Sequence, residues 1–273
     1  MNRVILKFLL VLMLVPHLGL DRAKAQLLPN RTKTRDHQLE QRASSLARLG
    51  RTEEAVDLYL EILYKNPRNY NIYFRVSNLM PGPENASVLL QILEDLLKTQ
   101  SKNTRLSVEK GRLLYLLDRK EEAIQDWQRI SQKYKKDRFV YTTLTNAMLQ
   151  AGATNEAIRL LTEGRTALND PQAFAYDLAR IYAAKHNYDL ASREYLSHLD
   201  KNPGMLDHVS NQLIRLLKND GAYEQINANL KQMLALPGEH QVLILAQAKI
   251  LLHEQHYAEC ARVILASDVS RSM

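Results

Sequence analysis

Between Asn85 and about Thr99 the apolar positions Val88, Leu89, Ile92, Leu93 and Leu96 fall three or four residues apart, the stripe of one helix face. The same register recurs along the chain. Ala55, Ala123, Ala157 and Ala191 stand on a ladder with a step of 34 residues, and Leu89 fills the missing rung. Such a step holds two antiparallel helices and a tight turn. A small residue at the rung lets the two helices of a pair approach closely. Aromatics one turn later, Tyr59, Trp127 and Tyr195, share the face of their rung and are expected to fill the core between repeats.

Turn and stop signals agree with this ladder. Gly50, Gly152 and Gly221 stand where first helices end and a left-handed residue is needed. Pro67 and Pro203 end second helices. Glu53-Glu54 and Glu121-Glu122 lie in first turns, where the helix dipole favours anions, so they need no catalytic explanation. Three irregularities stand out. Pro81-Gly82-Pro83 stops the first helix of the second repeat near Met80, and Leu89 replaces the small rung, so this pair should be splayed or shifted. Ile226 takes the rung of the sixth repeat, and Cys260 that of the seventh. Ala191 to Cys260 spans 69 residues, two periods and one extra residue, inserted between the fifth and sixth repeats.

The stretch Ala43-x-x-Leu46, Gly50-Arg51-Thr52-Glu53-Glu54-Ala55, Tyr59, Pro67 resembles the tetratricopeptide repeat pattern, and Leu178-Ala179-x-x-Tyr182, Tyr188, Ala191, Tyr195, Pro203 repeats it. The resemblance implies an all-α, right-handed α-solenoid of about seven antiparallel helix pairs. The repeats run over about 36–69, 70–103, 104–137, 138–171, 172–205, 206–240 and 241–267, with a tail at 268–273.

The first 25 residues have another character. Arg3 and Lys7 precede the apolar run Phe8 to Val15, and Ala23-Lys24-Ala25 offers small residues to a signal peptidase. This predicts a signal peptide over 1–25, cleavage before Gln26 and a flexible linker over 26–35. The run is too short, and too interrupted by Pro16 and Gly19, to span about 30 Å of hydrocarbon. No transmembrane segment is expected after cleavage. The expected location is the periplasm or cell envelope of a bacterium.

Charge then says less than it first does. The chain carries +7 with a pI near 9.3, but the leader holds Arg3, Lys7, Arg22 and Lys24 against Asp21, which leaves +4 for the mature chain. That balance gives weak attraction to anionic surfaces, and an exported protein rarely meets nucleic acid. Cys260 is the only cysteine, so an internal disulfide is impossible and stability rests on helix packing.

Chemistry-bearing motifs are scarce. No Gly-x-Ser-x-Gly and no Gly-rich phosphate loop occurs, so no catalytic residue and no cofactor is expected. His253, His256 and Cys260 lack the spacing of a zinc site, and no metal is expected. The basic run Lys133-Tyr134-Lys135-Lys136-Asp137-Arg138 falls at an inter-repeat loop, solvated or facing an anionic surface.

The resemblance also implies a working surface. In the family the first helices line a concave groove that holds extended peptides. Its ninth position carries Ser44, Asn78, Arg112, Asn146, Arg180, Arg215 and Lys249, none apolar. Its fifth carries Glu40, Phe74, Val108, Thr142, Tyr176, Asn211 and Leu245. An Asn side chain pairs with a peptide amide, and an Arg fork grips a carboxylate. Phe74 and Tyr176 supply apolar anchors.

The expected function is a non-catalytic protein–protein interaction scaffold of the cell envelope, binding an extended or acidic segment in that groove. Two alternatives stand beside it: the N-terminal region of a larger envelope protein, and an accessory factor binding envelope glycan through Phe74, Tyr115, Tyr176 and Phe139. The last repeat has no polar capping helix, which leaves Ile250, Leu251, Ile264 and Leu265 expected to be partly bare and suited to self-association or a partner.

Overall fold

The structure, a computed structural model, describes residues 29–269. The expected signal peptide lies outside the described residues. These form fourteen α-helices and no strand. The helices are α1 (Pro29–Arg48), α2 (Thr52–Lys65), α3 (Tyr70–Leu79), α4 (Ala86–Thr99), α5 (Thr104–Leu116), α6 (Lys120–Lys133), α7 (Arg138–Gln150), α8 (Thr154–Leu168), α9 (Ala175–Ala184), α10 (Tyr188–Lys201), α11 (Leu206–Leu216), α12 (Ala222–Leu234), α13 (Gln241–His253) and α14 (Tyr257–Val269). Odd-numbered helices are the first helices of the repeats and even-numbered ones the second. Helix α1 starts ahead of the expected position near Asp36.

The chain divides into two compact units. The first holds the residues up to Tyr134 together with Thr142–Ala153, and the second holds Lys135–Tyr141 and the rest. In the first, α1 packs on α2, α2 on α3, α4 on α5 and α5 on α6. In the second, α9 packs on α10, α10 on α11 and α12, α11 on α13, and α13 on α14.

Every rung of the ladder is buried: Ala55, Leu89, Ala123, Ala157, Ala191, Ile226 and Cys260. The side chain on the rung sets how closely its pair packs. Where Ala55, Ala123, Ala191 or Cys260 stands, the two helices of the pair share an extensive contact. Where Leu89 or Ile226 stands, α3 touches α4 and α11 touches α12 only slightly. The bulky rung wedges the pair apart, and the second helix packs against the neighbouring repeat instead.

The turns follow the same step. Gly50, Asp118, Gly152, His186, Gly221 and Gln255 all take positive φ between 58° and 80°. The amide after each of five of them closes on a carbonyl five residues back: Arg51 on Leu46, Arg119 on Leu114, Ala153 on Met148, Asn187 on Tyr182 and His256 on Leu251. This is the left-handed helix stop, in which that backbone bond offsets the strain of a non-glycine residue. In the third repeat Gly111 serves packing rather than turning, because a Cβ there would overlap the Trp127 indole. Two short 3₁₀ turns, Pro83–Asn85 and Pro203–Met205, mark the irregularities. The second lies between the fifth and sixth repeats and takes up the extra residue.

At the last repeat Ile250 and Leu251 are buried, against expectation, while Ile264 and Leu265 are exposed. Helix α14 covers the former pair. Among the described residues no helix is long and apolar enough to cross a membrane.

Candidate functional site

Bonds within the protein take up much of the first-helix face. In the first unit Glu40 on α1 pairs with Arg75 on α3 at 3.0 Å. Ser44 Oγ lies 2.8 Å from the Tyr59 hydroxyl. Phe74 is half-buried, edge-on to Tyr73 with ring centroids 5.3 Å apart, and the Arg105 guanidinium covers its face at 4.0 Å. Asn78 and Asn146 are exposed.

Arg112 is not presented to a partner. Its side chain is 13% exposed, and Glu109 accepts from its Nε at 2.8 Å and from its Nη2 at 2.6 Å. Ser77 donates to Glu109 Oε1 at 3.0 Å and the Tyr73 hydroxyl donates to it at 3.4 Å. Burial, then the Glu109 charge, pushes the Tyr73 phenol well above its ordinary range. Sequence reasoning passed over Glu109. The signal that identifies it is a carboxylate one turn before an Arg on a helix face that is otherwise apolar.

In the second unit two bonds tie successive first helices. The Tyr176 hydroxyl on α9 meets His208 Nε2 on α11 at 2.6 Å, and Lys249 on α13 donates to Asp207 on α11 at 2.6 Å. Tyr176 also packs on His198 at 5.4 Å and Tyr195 at 5.7 Å between ring centroids. Burial lowers the His198 pKa, with Asp177 opposing, and burial raises that of Asp177, with Arg180 and His198 opposing. Arg180 and Arg215 are exposed on this face, and Arg215 Nε donates to the Asn211 carbonyl at 3.3 Å. Leu245 is half exposed beside them on α13. The structure thus brings Tyr176, Arg180, Arg215 and Lys249 onto consecutive first helices of one unit. His198, His208 and Tyr195 join them, three residues the ladder register did not select.

The remaining candidates separate. Cys260 is buried with its Sγ toward the Ala248 carbonyl, His256 meets the Tyr223 hydroxyl and His253 pairs with Glu254. Among the described residues no group of three or more His, Cys, Asp or Glu side chains could hold a metal ion. The basic run is partly engaged: Lys136 caps the Ala167 carbonyl near the end of α8, and Arg138 pairs with Asp170.

No family model and no curated protein sequence matches the chain. Solved structures do. The chain is similar to PilF of Pseudomonas aeruginosa, with 18% identity and a TM-score of 0.41, over 83% of this chain and 98% of that one. It is similar to a tetratricopeptide repeat protein from Parabacteroides merdae, with 13% identity and a TM-score of 0.43, over 86% and 93%. It is similar also to PilW, described as a widely conserved type IV pilus biogenesis factor, with 12% identity and a TM-score of 0.42, over 76% and 96%.

Proposed function

We propose that this chain is a non-catalytic protein-interaction scaffold of the bacterial cell envelope, which holds an extended, acidic protein segment against the first helices of its second unit. The observation that carries this reading is the exposure of Arg180 and Arg215 at equivalent positions of consecutive first helices. Other candidates of the same register are spent on the protein itself: Arg112 on Glu109, Lys249 on Asp207, Tyr176 on His208. A guanidinium has five donors and no acceptor, so the two exposed forks suit carboxylates. Asn78 and Asn146 are the matching positions of the first unit and suit peptide amides.

The glycan reading has less support. Sugar platforms need open ring faces. Arg105 covers Phe74, Tyr115 stacks on Trp127 at 5.8 Å, and Tyr176 is enclosed by His198, His208 and Tyr195.

Site-specific photo-crosslinking in the native cell tests the reading. A crosslinker at Arg180 or Arg215 should trap a protein band that one at Gln225, exposed on second helix α12, does not. Equal trapping at all three positions would remove the preference for the first-helix face. Export is tested by N-terminal sequencing of the mature chain, expected to begin at Gln26; an intact leader would contradict it.

A further inference from the structure

Tyr59, Trp127 and Tyr195 occupy equivalent positions, each one turn past a ladder alanine, and each is no more than 2% exposed. A buried aromatic with a polar tip normally finds a partner for it. Tyr59 finds Ser44 Oγ at 2.8 Å, and Trp127 Nε1 donates to the Val108 carbonyl at 3.1 Å. Both partners belong to the first helix of the same repeat. The Tyr195 hydroxyl forms no hydrogen bond with a described residue.

The register explains why. In the fifth repeat the place of Ser44 is taken by Arg180, four periods of 34 residues later. A guanidinium offers donors only, so a phenol O–H finds no acceptor there. Burial first, and then Tyr176, pushes the Tyr195 phenol up to about 12, while Arg180 and Arg215 pull it back. Both guanidiniums therefore lie within electrostatic reach of this one oxygen. The Tyr176–His208 contact holds α9 beside α11. From it, Arg180 stands one turn along α9, about 6 Å, and Arg215 two turns along α11, about 10 Å. Neither guanidinium forms an ion pair with a carboxylate among the described residues. Asp177 interacts with Arg180 across space only. Three helices thus direct donors to one place on the protein where no acceptor answers them.

We infer that Arg180, Arg215 and the Tyr195 hydroxyl form an oxyanion subsite that takes a side-chain carboxylate of the acidic segment, with Tyr195 as its specificity-determining donor. This rests on the reading of the first-helix face given above. The two guanidiniums attract any acidic stretch. The phenol, fixed by burial, selects the point at which an oxygen must sit.

The test titrates the full mature chain with a dye-labelled hexaglutamate peptide, with the hexaglutamine peptide as control and inorganic phosphate as competitor. Wild type should prefer the glutamate peptide. Tyr195→Phe should weaken its binding about tenfold, the size of one hydrogen bond to a charged group. It should also leave the thermal midpoint unchanged or raised, because it deletes a buried donor without a partner. Arg180→Gln with Arg215→Gln, both at the surface, should abolish the preference. If Tyr195→Phe binds as wild type while the double Arg variant loses binding, the subsite is wrong and the first-helix reading stands. If the double variant also binds as wild type, or wild type shows no preference, that reading falls too. Phosphate that displaces the peptide at equal concentration would overturn the assignment to a protein segment.

Discussion

Glu109 closes on both arms of Arg112, at 2.8 Å from Nε and 2.6 Å from Nη2, and so withdraws from solvent a guanidinium that its register assigns to a partner. Removing one member of a buried pair strands the other charge, which costs about 3–5 kcal/mol. Glu109→Ala should therefore lower the urea midpoint of unfolding by that order. Glu109→Leu combined with Arg112→Met should recover most of it, because the stranded charge is gone. Equal midpoints for Glu109→Ala and wild type would show the pair to be slack.

Gly111→Ala places a methyl group in the Trp127 ring, which is fully buried. Overpacking of this kind costs about 1–3 kcal/mol. Trp127 is the only tryptophan, so its emission reports the site directly. A red shift together with a lower midpoint is expected; unchanged emission would mean that α5 and α6 are not pressed together there.

The rung governs pair spacing, and exchange in both directions tests this. Ala191→Leu should wedge α9 from α10 at a cost of about 1–3 kcal/mol. Leu89→Ala should open a cavity worth about 2–5 kcal/mol, because Leu89 is buried within a pair that has already spread around it. A stabilising Leu89→Ala, through closure of the pair, would contradict the second half of this account.

Stability should depend on pH through His240. Its Nδ1 lies 2.9 Å from Asp200 Oδ1 on α10 and its Nε2 lies 3.2 Å from the Leu236 carbonyl, so the protonated ring donates to both. The hydrogen bond to Asp200 raises its pKa above the ordinary value near 6.5. A raised folded-state pKa stabilises fully below the unfolded value and loses its effect as pH rises through the folded one. His198 has the opposite sign: burial lowers its pKa, so its contribution is lost as pH falls below the ordinary value. His240→Gln should flatten the decline in midpoint above about pH 6.5 and leave the acid side to His198. An unaltered slope would mean that the Asp200 contact does not persist in solution.

The periodic features of the fold could be read from the sequence because each has a local cause. The ladder step, the splayed second pair and the extra residue before the sixth repeat follow from residue size, Pro placement and counting. The non-glycine turn residues Asp118, His186 and Gln255 were harder to see, because a backbone bond and not the side chain stabilises them. The site was legible only as a list of positions. Register selects which residues lie on the first-helix face, but whether such a residue remains open depends on what stands across from it in space. Arg112 and Arg180 share a register. Glu109 precedes the first by three residues, whereas Asp177, three residues before the second, interacts with it through space alone. Tyr195 was read correctly as core, and the unsatisfied hydroxyl at its tip emerged only from the three-dimensional environment.

The most direct test of the central claim is a charge exchange on the second-unit face, read by fluorescence anisotropy with hexaglutamate and hexalysine peptides. Wild type should bind hexaglutamate and ignore hexalysine. Arg180→Glu with Arg215→Glu should reverse that preference at unchanged thermal stability, since both positions are exposed. A reversed-charge variant that still binds hexaglutamate as wild type does would contradict the account.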